Sequence, residues 1–368
     1  MSGVTALSST LSLYLARRFL ASFAIVLLSL CTIIFLIDVI ELMRRISARG
    51  DVSVLLLMEM ALLKLPYMAQ KIVPFATLFG GMHAFWRLTR FQELVVARSA
   101  GVSAWQFLMP AVGSMVAIGI INVAAFNPIA SAMLSRYERL EDRLVIGQTN
   151  LLAMSRTGLW LRQADDVGQA VIHAAKVTQP DLVLQGVVIF MYEGSDKFIN
   201  RIDAAEARLG DGVWLLKEVL LTAPGQPPQS LPTYQVKTDW TIEKIQDSFA
   251  APETMSFWDL PGFIRLLDNA GFSANRHKLY WHSLLSVPLM LAAMVLIAAS
   301  FSMRSSRRGG TMGLVGGGVL FGFLLFFLSD VVLALGLSAS IPAALAAWTP
   351  AGFSLALGLA AMLHLEDG

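Results

Sequence analysis

The side chains that could do chemistry are few, and they stand at the ends of apolar runs. Glu93 lies in FQELVVARSAGVSAW, Phe91 to Trp105, with Arg87, Arg90 and Arg98 around it. Leu94, Val95, Ala97 and Val102 give this stretch an apolar side, and Gly101 gives it a sharp end. That pattern fits a short amphipathic helix that docks in a partner's groove and offers a carboxylate to a basic residue there. The alternative is a solvated loop whose arginines obey the positive-inside rule. Arg44 and Arg45 close the first apolar run. They either snorkel to head groups or contact an anionic lipid phosphate, and Asp38 and Glu41 are near enough in sequence to pair with them. Lys64 and Lys71 flank Pro66 and read as interface anchors. Asp330 is an ionisable group in or near the end of an apolar run, which makes it a functional-site candidate by default.

Other chemistries lack their residues. A Walker A loop needs a glycine-rich turn ending in Gly-Lys-Ser/Thr, and no lysine follows a glycine in this sequence. Gly309-Gly310 and Gly316 to Gly318 therefore read as close helix packing. If ATP drives this protein, the ATPase is another chain, ATP and magnesium are ligands of that chain, and no cofactor is expected here. His83, His277 and His282 have no carboxylate or cysteine spaced for a metal site. The serines and aspartates of the middle region form no nucleophile elbow and no coherent triad. A net charge of +2 is too small to suggest nucleic-acid binding. One cysteine, Cys31, allows no intrachain disulfide.

The elements that must position these residues follow from hydropathy. The chain has 368 residues, 56% hydrophobic and 15% charged, with the apolar residues in runs, which marks an integral membrane protein. Arg17-Arg18 precede a charge-free run from Phe19 to Ile37, long enough at about 1.5 Å per residue to cross a core of about 30 Å. It is too long for a signal peptide, and Asp38 to Glu41 do not resemble a cleavage site. A kinked second span is expected over roughly 57–87, entering along the interface, with Pro66 and Pro74 in or beside it. The third runs from Gln106 to Phe126, the fourth from Leu279 to Met303, the fifth from Met312 to Leu337 and the sixth from Ile341 to Leu363.

Between about Ala130 and Ser273 the character changes. Leu159 to Arg162, Ala170 to Val177, Val183 to Tyr192, Arg201 to Leu209, Val213 to Thr222 and Tyr234 to Ile242 are short, strand-like segments. Asp165-Asp166, Pro180-Asp181, Gly194-Ser195 and Gly210-Asp211-Gly212 separate them. This predicts an antiparallel sandwich or barrel. Ser256 to Asn269 reads as a helix with Phe257, Leu260, Ile264 and Leu267 on one face. The basic residues at Arg17-Arg18, in the 87–98 loop and at Arg304, Arg307 and Arg308 fall on one side of six spans. That side, with both termini, is expected to be cytoplasmic. The fold class is then membrane α+β: residues 1–129 carry three spans and a segment of about 90–103 for coupling, 130–275 an outer β domain, and 276–368 three more spans.

With these residues in view, the chain resembles the LptF/LptG permease family, the membrane subunits of the lipopolysaccharide export ABC transporter. The likeness rests on Tyr14 to Arg18, Pro66 and Pro74, Gly158-Leu159-Trp160, and the order of three spans, β domain and three spans. Its most specific part is Glu93-Leu94-Val95-Val96 through Ala100-Gly101-Val102-Ser103, which looks like the family's coupling helix. His277 to Pro288 and Leu328-Ser329-Asp330 look more like the LptG branch than the LptF branch. The resemblance implies a periplasmic β-jellyroll, an inner-membrane location, and as partners an LptF chain, an LptB dimer, LptC with the periplasmic bridge beyond it, and lipopolysaccharide. It implies that Glu93 contacts LptB. It places Arg44 and Arg45 where paired basic residues, commonly lysines, are implicated in lipid phosphate contact; here arginine changes the donor geometry, and Asp38 stands two residues further from the pair than in the family's pattern. Arg136 and Arg139 are weaker candidates for the same path. It also implies that spans one and five form a lateral gate. Two other classes remain: an ion-driven transporter using Asp330 and Lys71, and a membrane-anchored enzyme acting on envelope lipids.

Overall fold

Long uncharged runs fold as long helices because a backbone without water must satisfy its own hydrogen bonds. The computed structural model describes residues 9–46, 53–141, 152–155, 158–164, 168–178, 183–193, 197–210, 212–238, 240–241, 245, 250–269, 272–302 and 311–366. Arg304, Arg307, Arg308, Gly309-Gly310 and the breaks at Asp165-Asp166, Pro180-Asp181, Gly194-Ser195 and Asp211 lie outside the described residues. In chain order the helices are α1 (Ser9–Ile46), α2 (Val54–Arg90), α3 (Glu93–Ser99), α4 (Ala104–Ile121) and α5 (Asn127–Glu141), with a π turn, Asn122–Phe126, between the last two. Strands β1 (Leu152–Ser155), β2 (Gly158–Ala164), β3 (Gly168–Thr178), β4 (Val183–Glu193), β5 (Lys197–Gly210), β6 (Val213–Thr222) and β7 (Gln229–Lys237) follow. Then come α6 (Leu260–Asn269), α7 (Asn275–Ser302), α8 (Thr311–Leu337) and α9 (Ala343–Glu366).

The chain forms two compact units. One holds residues 1–140, 256–258 and 275–368, the other 141–255 and 259–274. In the helical unit, α1, α2, α4 and α7 share one core around Phe19, Leu78, Phe85, Phe107, Met115, Leu291 and Val295. Glycine sets two of the closest approaches. A Cβ on Gly80 would stand 2.7 Å from the Phe23 Cα, and one on Gly119 would stand 2.7 Å from the Pro288 Cα. Such small-residue contacts substitute for a hydrophobic driving force that lipid does not supply.

The described helices bear on three sequence expectations. Five helices among the described residues are long and apolar enough, by length and composition, to cross a membrane: Ser9–Arg45, Ala104–Glu141, Asn275–Ser302, Gly316–Leu337 and Ala343–His364. The helix left out is α2, which at 37 residues is long enough but is diluted by Gln70, Lys71, His83 and two prolines. Val73, Ala76, Leu78 and Met82 of the same helix are buried in the core. Second, no element ends at residue 130, because α5 carries the third helix on to Glu141. Third, α6 begins at Leu260 rather than Ser256; Leu260, Ile264 and Leu267 are buried, while Phe257, whose ring stacks on Trp281, belongs to the helical unit.

The π turn has a local cause. Pro128 has no N–H for the carbonyl four residues back, that of Ala124. The indole Nε1 of Trp258 donates to that oxygen at 3.0 Å. Around it Gln70 Nε2 donates to Asn122 Oδ1 at 2.6 Å, and the Phe257 N–H donates to Asn127 Oδ1 at 2.8 Å. Residues 256–258 are thus tied to the π turn.

The β unit is one antiparallel sheet in the order β1-β2-β3-β4-β5-β6-β7, so every strand pairs with its sequence neighbour. The Greek-key crossovers of a jellyroll do not occur among the described strands; the topology is a meander. The regular pairing skips Ala175 and Gly186 between β3 and β4, Ala205 between β4 and β5, Glu218 between β5 and β6, and Pro232 between β6 and β7. Gly186 and Glu218 have left-handed backbones at φ 62° and 53°. These residues form a line across the sheet where the buried phase steps by three: Leu184 to Val187, Ala204 to Ala207, Leu216 to Val219. A kink of this kind bends a sheet and re-aims its side chains.

Candidate functional site

The polar end formed by α1, α2 and α3 gathers the residues that sequence singled out around Glu93. α2 ends at Arg90, and Gln92 turns the chain with φ 58° into the seven-residue α3. Gly101, at φ 83°, ends it: Val102 N–H donates to the Ala97 carbonyl at 3.1 Å and Gly101 N–H to the Arg98 carbonyl at 3.0 Å. This is the Schellman arrangement that a left-handed residue permits. Ser103 and Gln106 then form a reciprocal capping box that starts α4.

α3 has two faces. Leu94 is buried in the core, and Ala97 and Val102 pack against it. Val95, expected on that side, is 58% exposed; with Phe91 at 65% and Val96 at 66% it forms an outward apolar patch. Heptad-like reading of so short a helix misplaces Val95, because one residue corresponds to about 100° of rotation. The arginines around the patch are exposed. The Arg87 guanidinium lies over the Phe91 ring at 5.9 Å and that of Arg90 over Trp86 at 5.1 Å.

Glu93 itself has a partner within the chain. Tyr14 Oη, on α1, donates to Glu93 Oε2 at 3.0 Å, and Arg18 Nε donates to Tyr14 Oη at 3.2 Å. A small cavity beside them is lined by Arg18, Ser22, His83, Arg87 and Glu93. His83 Nδ1 lies 3.2 Å from Ser22 Oγ. The sequence signal for this cluster was Tyr14 and Arg18, one helical turn apart; nothing local linked them to a carboxylate 79 residues away.

The other candidates lie elsewhere. Glu41 takes both Arg44 and Arg45, at 2.9 Å each. Asp38, expected near the same pair, instead meets Lys64 at 2.5 Å, with the Lys64 ammonium 5.4 Å from the Tyr137 ring centre. Lys64 thus joins α1, α2 and α5. Lys71 stands over Tyr67 at 4.7 Å. Arg139 donates to Ser135 Oγ at 2.7 Å, and Arg136 is exposed on the same helix. Asp330 is exposed on α8. No group of three histidine, cysteine or acidic side chains among the described residues is placed to hold a metal.

Comparison with known proteins decides the family. The sequence profile described as lipopolysaccharide export system permease LptF/LptG matches residues 13–364. The chain belongs to the LptF/LptG permease family. Among curated relatives, it is similar to the lipopolysaccharide export system permease protein LptG of Escherichia coli strain K12, 23% identical over 344 residues, covering 92% of this chain and 93% of the relative. It is also similar to the protein of that name from Haemophilus influenzae, 21% identical over 356 residues, covering 93% and 95%. Family membership and five apolar helices make it a multi-pass membrane protein of permease type.

Proposed function

We propose that this permease is the LptG-like transmembrane subunit of an ABC transporter that extracts lipopolysaccharide from the inner membrane and passes it to a periplasmic bridge. It carries out no catalysis of its own. Its partners are an LptF chain, an LptB dimer that binds ATP and magnesium, and LptC. α2 serves as the sixth span, both termini and α3 face the cytoplasm, and the β unit lies in the periplasm. The observation that carries this reading is the two-faced α3. Leu94 roots it in the helical core while Phe91, Val95 and Val96 stand outward among Arg87, Arg90 and Arg98. Exposed apolar residues ringed by charge are the usual mark of a docking patch.

Lipopolysaccharide would enter beside α1 and α8, with its phosphates near Arg44 and Arg45 and, further along, Arg136 and Arg139. Asp330 on α8 would be a polar point on the face toward the partner subunit. ATP binding by LptB would move α3 and close the cavity.

Affinity purification of the chain from membranes tests the reading. A cytoplasmic ATPase should accompany it, and Glu93→Lys or Val96→Asp should remove that ATPase. A chain that moves or modifies lipid alone, with no ATPase attached, would falsify the proposal.

A further inference from the structure

α1 is a single helix of 38 residues. Tyr14 stands near one end and Arg44 near the other, separated by about 45 Å at 1.5 Å per residue. At the first end, Tyr14 Oη binds only one of the two Glu93 oxygens, Oε2. Among the described residues nothing else bonds that carboxylate, and Glu93 is only half-buried. A carboxylate accepts several bonds across its two oxygens, so Oε1 is open to a cation arriving from outside while Oε2 stays on α1.

From this geometry we infer that Tyr14 is a positioning residue that couples α3 to α1, with Glu93 as a bridge between α1 and a basic group of the docked ATPase. The inference rests on the docking reading above and adds to it a named route for the motion. Arg18 completes the link: its Nε donates to Tyr14 Oη and its guanidinium lies 5.3 Å from the Tyr14 ring centre. The hydroxyl is therefore held in place while it donates, and donation to a charged acceptor is among the stronger hydrogen bonds. Below it, Leu15 and Phe19 of α1 and Leu94 of α3 lie in one buried cluster. A displacement of α3 is then carried by α1 rather than absorbed in the turn. At the far end of α1 stand Asp38, paired with Lys64 of α2, and Glu41 with its two arginines.

The test uses the assembled complex in vesicles containing lipopolysaccharide and reads lipid moved per ATP hydrolysed. Tyr14→Phe should co-purify with the ATPase in the parent amount but move roughly ten-fold less lipid per ATP, the size expected from losing one charge-assisted bond. Tyr14→Lys places a donor of similar reach against the same carboxylate and should return the ratio to within about two-fold of the parent. A Tyr14→Phe complex with the parent ratio overturns the inference. A Tyr14→Lys complex as defective as Tyr14→Phe also overturns it, since a donor against the Glu93 carboxylate would then not be what the link requires. Loss of the ATPase from Tyr14→Phe would make Tyr14 an assembly residue and overturn it as well. If the unaltered chain holds no ATPase, the docking reading fails first and the inference falls with it, before any variant is made.

Discussion

At the scale of single residues, the charges near the Arg44 end of α1 pair both locally, Glu41 with Arg44 and Arg45, and across helices, Asp38 with Lys64. Asp38 and Lys64 have side chains only 14% and 21% exposed, so removing one leaves the other poorly solvated. Breaking a buried pair costs more than replacing both members. Lys64→Met should therefore lower the unfolding free energy of the solubilised chain by about 1–3 kcal/mol, less than for a fully buried pair. Adding Asp38→Leu should recover most of that loss in the same thermal melt. Glu41 is a different case, because it is shared by two exposed arginines and leaves the trio with one net positive charge. If Arg44 and Arg45 hold lipid phosphate, Glu41→Gln should increase photocrosslinking of lipopolysaccharide from position 43, and Arg44→Glu with Arg45→Glu should abolish it. Unchanged crosslinking in both would remove the arginines from the path.

At the scale of elements, the kink line across the sheet makes predictions of opposite sign. Glu218 holds φ 53°, a conformation that costs a non-glycine residue about 1–2 kcal/mol. Glu218→Gly should raise the stability of the β unit by up to about 1 kcal/mol. Gly186→Val should lower it by more, since φ is 62° and a Cβ would stand 3.2 Å from that of Ala175. Fluorescence of the fully buried Trp214 reports both. This line also shows where sequence was legible and where it was not. Alternation gave β4 and β6 to within a residue and β3 to within two, because one face of each is buried, but it began β5 at Arg201, four residues after Lys197. It gave no alternation at Val187 to Phe190, where all four residues are apolar although their burial alternates. It did not give the meander, since strand order depends on pairing and not on pattern. The apolar runs gave the helices, but the joints between them came from side chains far apart in sequence. Trp258 reaches the carbonyl that Pro128 leaves unbonded, and Tyr14 reaches Glu93. No local periodicity encodes either contact. Trp258→Phe keeps the ring and removes the donor, so it should lower the melting temperature by a few degrees through the orphaned carbonyl.

At the scale of the whole molecule, the spans differ in how much of themselves they bury. Only 6% of the most apolar stretch of α1 and 17% of that of α8 is buried within the chain, against 61% for α7. Ile25, Leu28, Ile33 and Leu36 on α1 and Leu320, Phe323, Leu324 and Phe327 on α8 are exposed. Apolar exposure alone suits lipid as well as protein, because acyl chains solvate leucine as readily as a neighbouring helix does. One feature weighs toward a protein neighbour for part of this surface. Asp330 stands exposed on α8 among those residues, and a charge left facing hydrocarbon is costly. The proposed LptF partner would supply such a neighbour. On the proposed assembly, photocrosslinkers at Leu28 and Phe323 should capture a second permease chain, whereas the exposed Met109 and Ile120 on α4 should label lipid alone. Asp330→Asn, by removing a charge that the partner face must satisfy, should weaken that crosslink without altering the labelling at α4. Equal lipid labelling at all four positions would place α1 and α8 against the bilayer rather than against a second permease.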